Sequence, residues 1–152
     1  MLHASSAATP QRSFELVVGA SDLAVVQLPS SSTVPQWALS GDKSFLSMTY
    51  TKEELSLVVN QASIPKDFSE GKVEGGWRAL KVAGPLDFEL VGILASLAVP
   101  LARSGVSIFA VSTYNTDYVL VKASLLDRAA RTLREHGHEI TYEGEKPDQP
   151  HW

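Results

Sequence analysis

The stretch WRALKVAGPLDFELVGILASLAVPLARSGVSIFAVSTYNTDYVLV, residues 77–121, decides how the chain is read. It opens as a strand, because Trp77, Ala79 and Lys81 alternate with Arg78, Leu80 and Val82. Gly84-Pro85 stops that strand, since proline brings no N–H to a ladder and restricts the residue before it. Asp87 then stands where a helix N-cap is wanted, and Glu89 puts negative charge into the first turn. Leu90, Ile93, Leu94, Leu97, Ala98 and Leu101 recur at three and four residues and draw one apolar helical stripe, with Gly105 as the stop. Val106 to Val111 is apolar and β-branched enough for a buried strand. Tyr114-Asn115-Thr116-Asp117 turns it into another, Tyr118 to Val121. Pro100 either kinks the helix or ends it one turn early, because an internal proline costs about 3 kcal/mol.

Outward from this core, Ser124 is placed to cap a second helix whose Leu126, Ala129, Ala130 and Leu133 share a face. Gly137 ends it, and His138 to Tyr142 reads as a last strand. The second half is therefore β-α-β-β-α-β. Towards the N-terminus, Phe14–Val18 and Leu23–Leu28 read as strands joined at Gly19–Asp22. Pro35 opens a single helical turn, and Ser44–Tyr50 alternates as a strand. Thr51-Lys-Glu-Glu54 has the form of a capping box, and Leu55–Val59 after it reads as helix or strand, its valines favouring strand. The expected organisation is a tail over 1–12, a reduced half over 13–64, a polar linker over 65–76, a full domain over 77–143 and a tail over 144–152, both tails disordered.

Composition narrows the function. At 152 residues and 44% hydrophobic the chain supports one ordinary core or two small ones. The net charge of −4, with lysine and arginine scattered, argues against nucleic acid and against an anionic membrane surface. With no cysteine, disulfides and thiolate metal sites are impossible. No apolar leader or spanning segment is visible, so a cytoplasmic protein is expected. No nucleophile elbow, P-loop, dinucleotide fingerprint or HExxH motif is present, so catalysis and a cofactor are not expected. His136 and His138 flank Gly137 and read as solvated imidazoles at a helix end, not as metal ligands.

The stretch also resembles the ACT-domain family, in the subgroup of paired ACT modules that includes bacterial stand-alone ACT proteins, aspartate kinase regulatory domains and the animal cytosolic arginine sensors. The match spans residues 44–142 and is densest in Gly84-Pro85-Leu86-Asp87-Phe88, the helix, and Ser112-Thr-Tyr-Asn-Thr-Asp-Tyr118. It implies an α+β fold, ferredoxin-like βαββαβ, with two ACT-like halves in tandem, 13–64 being the reduced one and 77–143 the ACT domain. It also implies a non-catalytic module that binds a small amino acid and regulates another protein, and a homodimer. In such modules the ligand lies between a β1–α1 loop and the β2 strand of a neighbour. Carried over, the loop side is Asp87, Phe88, Leu90, Gly92 and Ile93, and the strand side is Ser107, Ile108 and Phe109.

Each of these residues also has a plainer reading. Asp87 is an N-cap and, compatibly, a counter-ion for a ligand ammonium beside free helical N–H groups. Gly92 admits a ligand or a close strand; Ser107 is a contact or a satisfied surface serine. Ser112, Thr116 and Asp117 build the hairpin turn first and touch ligand second. The alternative function is a ligand-free module whose sheet edge recruits a protein partner.

Overall fold

The computed structural model describes residues 13–86 and 91–144. Its elements are strands β1 (Glu15–Val18) and β2 (Leu23–Leu28), helix α1 (Gln36–Ser40), and strands β3 (Ser47–Tyr50), β4 (Leu55–Asn60) and β5 (Lys72–Val82). Then come α2 (Ile93–Arg103), β6 (Phe109–Ser112), β7 (Asp117–Lys122), α3 (Leu126–Glu135) and β8 (Glu139–Tyr142). Eight strands make one sheet in which β5 is the spine. Its first part, Lys72 to Trp77, pairs antiparallel with β2, and its last part, Leu80 to Val82, with β1. On its other side lies β7, followed by β6 at the edge.

The α+β class and the β-α-β-β-α-β order of the second half, β5-α2-β6-β7-α3-β8, are as the sequence indicates. The strands of that half do not form the sheet by themselves. Strand β1 inserts between β5 and β8 and runs parallel to β8, with Glu15 opposite Glu139 and Val18 opposite Tyr142. The N-terminal strand thus completes the sheet of the C-terminal half. The polar segment 65–76 is a connection only up to Gly71, because 72–76 already belong to β5.

Both longer helices cover one face. Leu97, Leu101, Ala129 and Leu133 meet Leu16, Val18, Leu80, Val82, Val119 and Val121 in a single core. Leu94, an expected core position, is half-buried against it. A separate core lies under α1, where Val26, Leu55, Leu57 and Val59 pack with Trp37 and Phe68. Burial of each fully enclosed leucine or valine contributes about 1.5–3 kcal/mol, so these clusters dominate the stability.

Several local expectations change in detail. Helix α2 starts at Ile93, later than an Asp87 cap implies; Asp87 itself lies outside the described residues. The ladder of β6 begins at Phe109, with 106–108 leading into it. Ser124 sits inside a one-turn 3-10 helix, Ala123–Leu125, and gives α3 no side-chain cap. The Thr51 hydroxyl does accept from the N–H groups of Glu53 and Glu54, at 3.2 Å each, yet the segment is the turn between β3 and β4. A capping box and a hairpin turn use the same local hydrogen bonds, and strand pairing decides between them.

Pro100 lies inside α2, one turn before its end, and is buried. It cannot donate to the Ser96 carbonyl one turn earlier. His138 faces that backbone, is 5% exposed, accepts from Phe14 N–H at 3.1 Å through Nδ1 and stacks on the Phe14 ring at 5.7 Å. This corrects the solvated reading of His138. Burial is the main cause holding its pKa below the ordinary 6.5; hydrogen bonding to the Ser96 backbone opposes this and the nearby His136 reinforces it. A folded-state pKa below the unfolded one favours neutral imidazole, so its contribution is complete above about pH 6.5 and is lost as pH falls through the folded value. Urea unfolding from about pH 8 to pH 5 is expected to show stability declining with acid. His138→Asn, which keeps an acceptor near Nδ1 but does not titrate, is expected to flatten that decline; equal slopes would exclude His138 as its source.

Candidate functional site

The loop leaving β5 is fastened to the β6–β7 hairpin. Ala83 N–H donates to Glu15 O at 2.8 Å, and Leu86 N–H donates to Asn115 O at 2.7 Å. The Thr116 hydroxyl, 3% exposed, donates to the Val82 carbonyl, so the hairpin holds the last strand residue as well. The Gly84-Pro85 peptide is cis. A Cβ on Gly84 would stand 3.2 Å from Asn115 O and 3.3 Å from Thr116 Cβ, which explains glycine where loop and hairpin approach. Within the hairpin, Thr113 N–H donates to Thr116 O at 2.9 Å, and the Ser112 hydroxyl donates to Asp117 Oδ1 at 2.7 Å. Ser112, Thr116 and Asp117 are thus all engaged in building and docking the turn. Asn115, which the sequence did not single out, supplies the docking carbonyl.

On the far side of the loop, Gly92 occupies the N-cap of α2 with φ +79°, a left-handed conformation that a side chain would strain. A Cβ there would have no heavy atom within 4 Å, so Gly92 is required by its backbone, not by a close neighbouring strand. Gly92 brings no side chain to cap this helix, whose first N–H groups point towards the loop. Such groups attract a carboxylate. Asp87, Phe88 and Leu90 lie outside the described residues.

The remaining candidates divide between the two faces of the sheet. Ile93 is buried in the helix-side core, and Ile108 packs against that same core. Ser107 is exposed ahead of the β6 ladder. Phe109 points to the opposite face, its ring 6.2 Å from Trp77. Asn115 and Thr116 meet the end of β5 and the start of the loop within the chain, whereas Phe109 stands opposite Leu120 and beside Trp77, farther back along β5. Among the described residues no group of three or more metal-ligating side chains converges.

The family model described as ACT domain matches residues 72–135, which begin at the first residue of β5 and end at the last residue of α3. This segment belongs to the ACT-domain family. A second model, described as an N-terminal domain, matches residues 21–67. Among curated relatives, the cytosolic arginine sensor for mTORC1 subunit 1 of Rattus norvegicus is 34% identical over 98 residues, covering 61% of this chain and 27% of the sensor. The chain thus spans about a quarter of the length of that relative. A crystal structure of an Agrobacterium tumefaciens protein, solved as a structural-genomics target, superposes with TM-score 0.79 at 32% identity over 91% of this chain and 99% of that one. Aspartate kinase from Clostridium acetobutylicum shares the fold, with TM-score 0.62 and 12% identity over 80% of this chain and 33% of the kinase. No helix among the described residues is long and apolar enough to cross a membrane.

Proposed function

We propose that this ACT chain is a non-catalytic, cytosolic regulatory module that binds a small amino acid at the loop between β5 and α2. The observation that carries the reading is the N-terminus of α2, started by a glycine that brings no capping side chain, beside a loop bolted to the hairpin. The relative named as an arginine sensor supports an amino acid as ligand. Free N–H groups take the α-carboxylate, and the Asp87 carboxylate takes the α-ammonium. Phe88 and Leu90 complete the loop side, with Ile93 set in the core behind them. The strand side, Ser107 to Phe109, comes from a second copy, in a homodimer. The bound module then acts on a protein target.

Asp87→Asn tests this. Asparagine is nearly isosteric with aspartate, and the N-cap of α2 is Gly92, so the ligand-free melting temperature should be unchanged, whereas a lost charge-assisted hydrogen bond costs about 1.5–3 kcal/mol, roughly ten- to hundredfold in affinity. Calorimetric titration with the amino acids that raise the melting temperature, arginine tried first, reads the difference; unchanged affinity would remove Asp87 from the site.

One observation favours a second reading, a ligand-free module that recruits a protein. Among the described residues strand β6 pairs only with β7, and its sequence Phe-Ala-Val-Ser carries no charge, so it offers an open ladder. Absence of any thermal shift with all twenty amino acids, together with capture of a protein partner that Ala110→Pro abolishes, would favour it.

A further inference from the structure

The face of the sheet away from α2 and α3 carries a cleft of about 370 Å³, lined by residues of both halves and reaching the start of the loop at Ala83 and Gly84. Its floor follows from the register. Lys81 stands opposite Val17 on β1 and Tyr118 on β7. The next row on the same face runs from Glu143 through Gly19 to Ala79, because Glu143 N–H donates to Val18 O at 2.8 Å and Gly19 N–H to Ala79 O at 2.9 Å. Gly19 and Ala79 are the small residues of that row, and they leave the depression open. Ideal sheet spacing puts the Cα atoms of Lys81 and Glu143 roughly 11–12 Å apart, two strands over and two residues along. Their side chains extend from opposite corners of one small cleft.

The two charges differ in how they are held. The single ion pair among the described residues joins Lys122 and Glu74, so Lys81 has no carboxylate partner there. Glu143 is oriented by accepting from Ala20 N–H at 3.2 Å through one oxygen, which leaves the other. The third wall is aromatic. Phe45 stands edge-on to Tyr118 at 4.8 Å. Its loop is braced by Asp42, which accepts from Ser44 N–H at 2.7 Å and from Asn60 Nδ2 at 3.2 Å. A cation, an anion and an aromatic wall around a volume of this size fit one small molecule of matching polarity.

We propose that this cleft is a second ligand site, within a single chain, for a zwitterionic α-amino acid with an apolar or aromatic side chain. Lys81 receives the carboxylate, Glu143 the ammonium, and Phe45 with Tyr118 the side chain. It is distinct from the loop site and does not depend on a second copy.

The test uses the full chain, isotope-labelled, with L-leucine and L-phenylalanine as probes, and with L-leucinamide and 4-methylpentanoate, each of which lacks one charge. Amide shifts are expected at Gly19–Leu23, Phe45 and Ala83–Gly84. Lys81→Gln should weaken L-leucine on the order of tenfold and leave L-leucinamide unchanged. Glu143→Gln should weaken L-leucine similarly and leave 4-methylpentanoate unchanged. Both residues are exposed, so the variants should melt as the parent does. Shifts confined to 91–93 and 107–109, no shifts with any probe, or variants that bind all four probes as the parent does would each overturn the proposal. Asp87→Asn should leave these shifts intact, so failure at one site is distinguishable from failure at the other.

Discussion

A fragment spanning residues 72–144 is expected to give no cooperative thermal transition, although it contains every element of the ACT-family order from β5 to β8. The reason lies in β1. Strand β1 fills the space between β5 and β8, and without it both neighbouring ladders lose their partner. Its Leu16 and Val18, each 0% exposed, are also central to the core beneath the helices. Deleting one large buried side chain costs about 2–5 kcal/mol, while a whole domain has only about 5–15 kcal/mol of net stability. Losing the two side chains together with two strand interfaces exceeds that margin. The comparison is circular dichroism of fragment 72–144 against residues 13–144, which should melt in one transition. A peptide covering 13–20, added in trans, should restore part of the native signal. Leu16→Ala in the full chain should lower urea stability by about 2–5 kcal/mol. A native-like, cooperative melt of 72–144 would mean that β8 closes directly onto β5. Its direction permits that, since β8 is parallel to β1 and β1 antiparallel to β5.

Such a result would also mark where the sequence was legible. Helices α2 and α3 and their glycine stops could be read because the signal is local. Val106 N–H returns to Leu101 O at 2.9 Å and His138 N–H to Leu133 O at 3.0 Å, and each closure needs only its own glycine. The hairpin was legible for the same reason. The insertion of β1 was not, because Glu15–Val18 alternates in the same way whichever strands receive it. Pairing chosen across the whole chain leaves no trace in a short window. His138 failed similarly: its burial depends on Phe14, at the other end of the sequence, and on the backbone beside Pro100. At the site the hairpin turn was readable, whereas Gly92, read as room for a ligand or a close strand, is set by its left-handed backbone. The neighbourhood of Lys81 and Glu143 exists only through strand register, so composition and spacing carried no hint of it. Strand β1 lies in 13–64 yet pairs with β5 and β8, while β5 pairs with strands from both sides of the linker.

Thr116→Val is expected to destabilise the fold by about 1–3 kcal/mol, while Thr116→Ser should remain closer to the parent. Valine preserves the shape of threonine but removes the hydroxyl that donates to the Val82 carbonyl. That acceptor lies at the end of β5 among buried groups, and an acceptor left unpaired away from water bears its desolvation cost in full. Serine keeps the donor and loses only a methyl group. The consequence reaches the site, because Thr116 and Asn115 are the two points at which the hairpin holds the loop. If the loop binds the amino acid, loosening it means that ligand must order it again, and affinity should fall even at temperatures where the variant remains folded. Urea unfolding supplies the stability difference, and titration well below the melting temperature supplies the affinity. A valine variant as stable as the parent would show that the hydroxyl contact contributes nothing net. One that is less stable but binds with unchanged affinity would detach loop docking from recognition, placing the ligand where the hairpin does not reach.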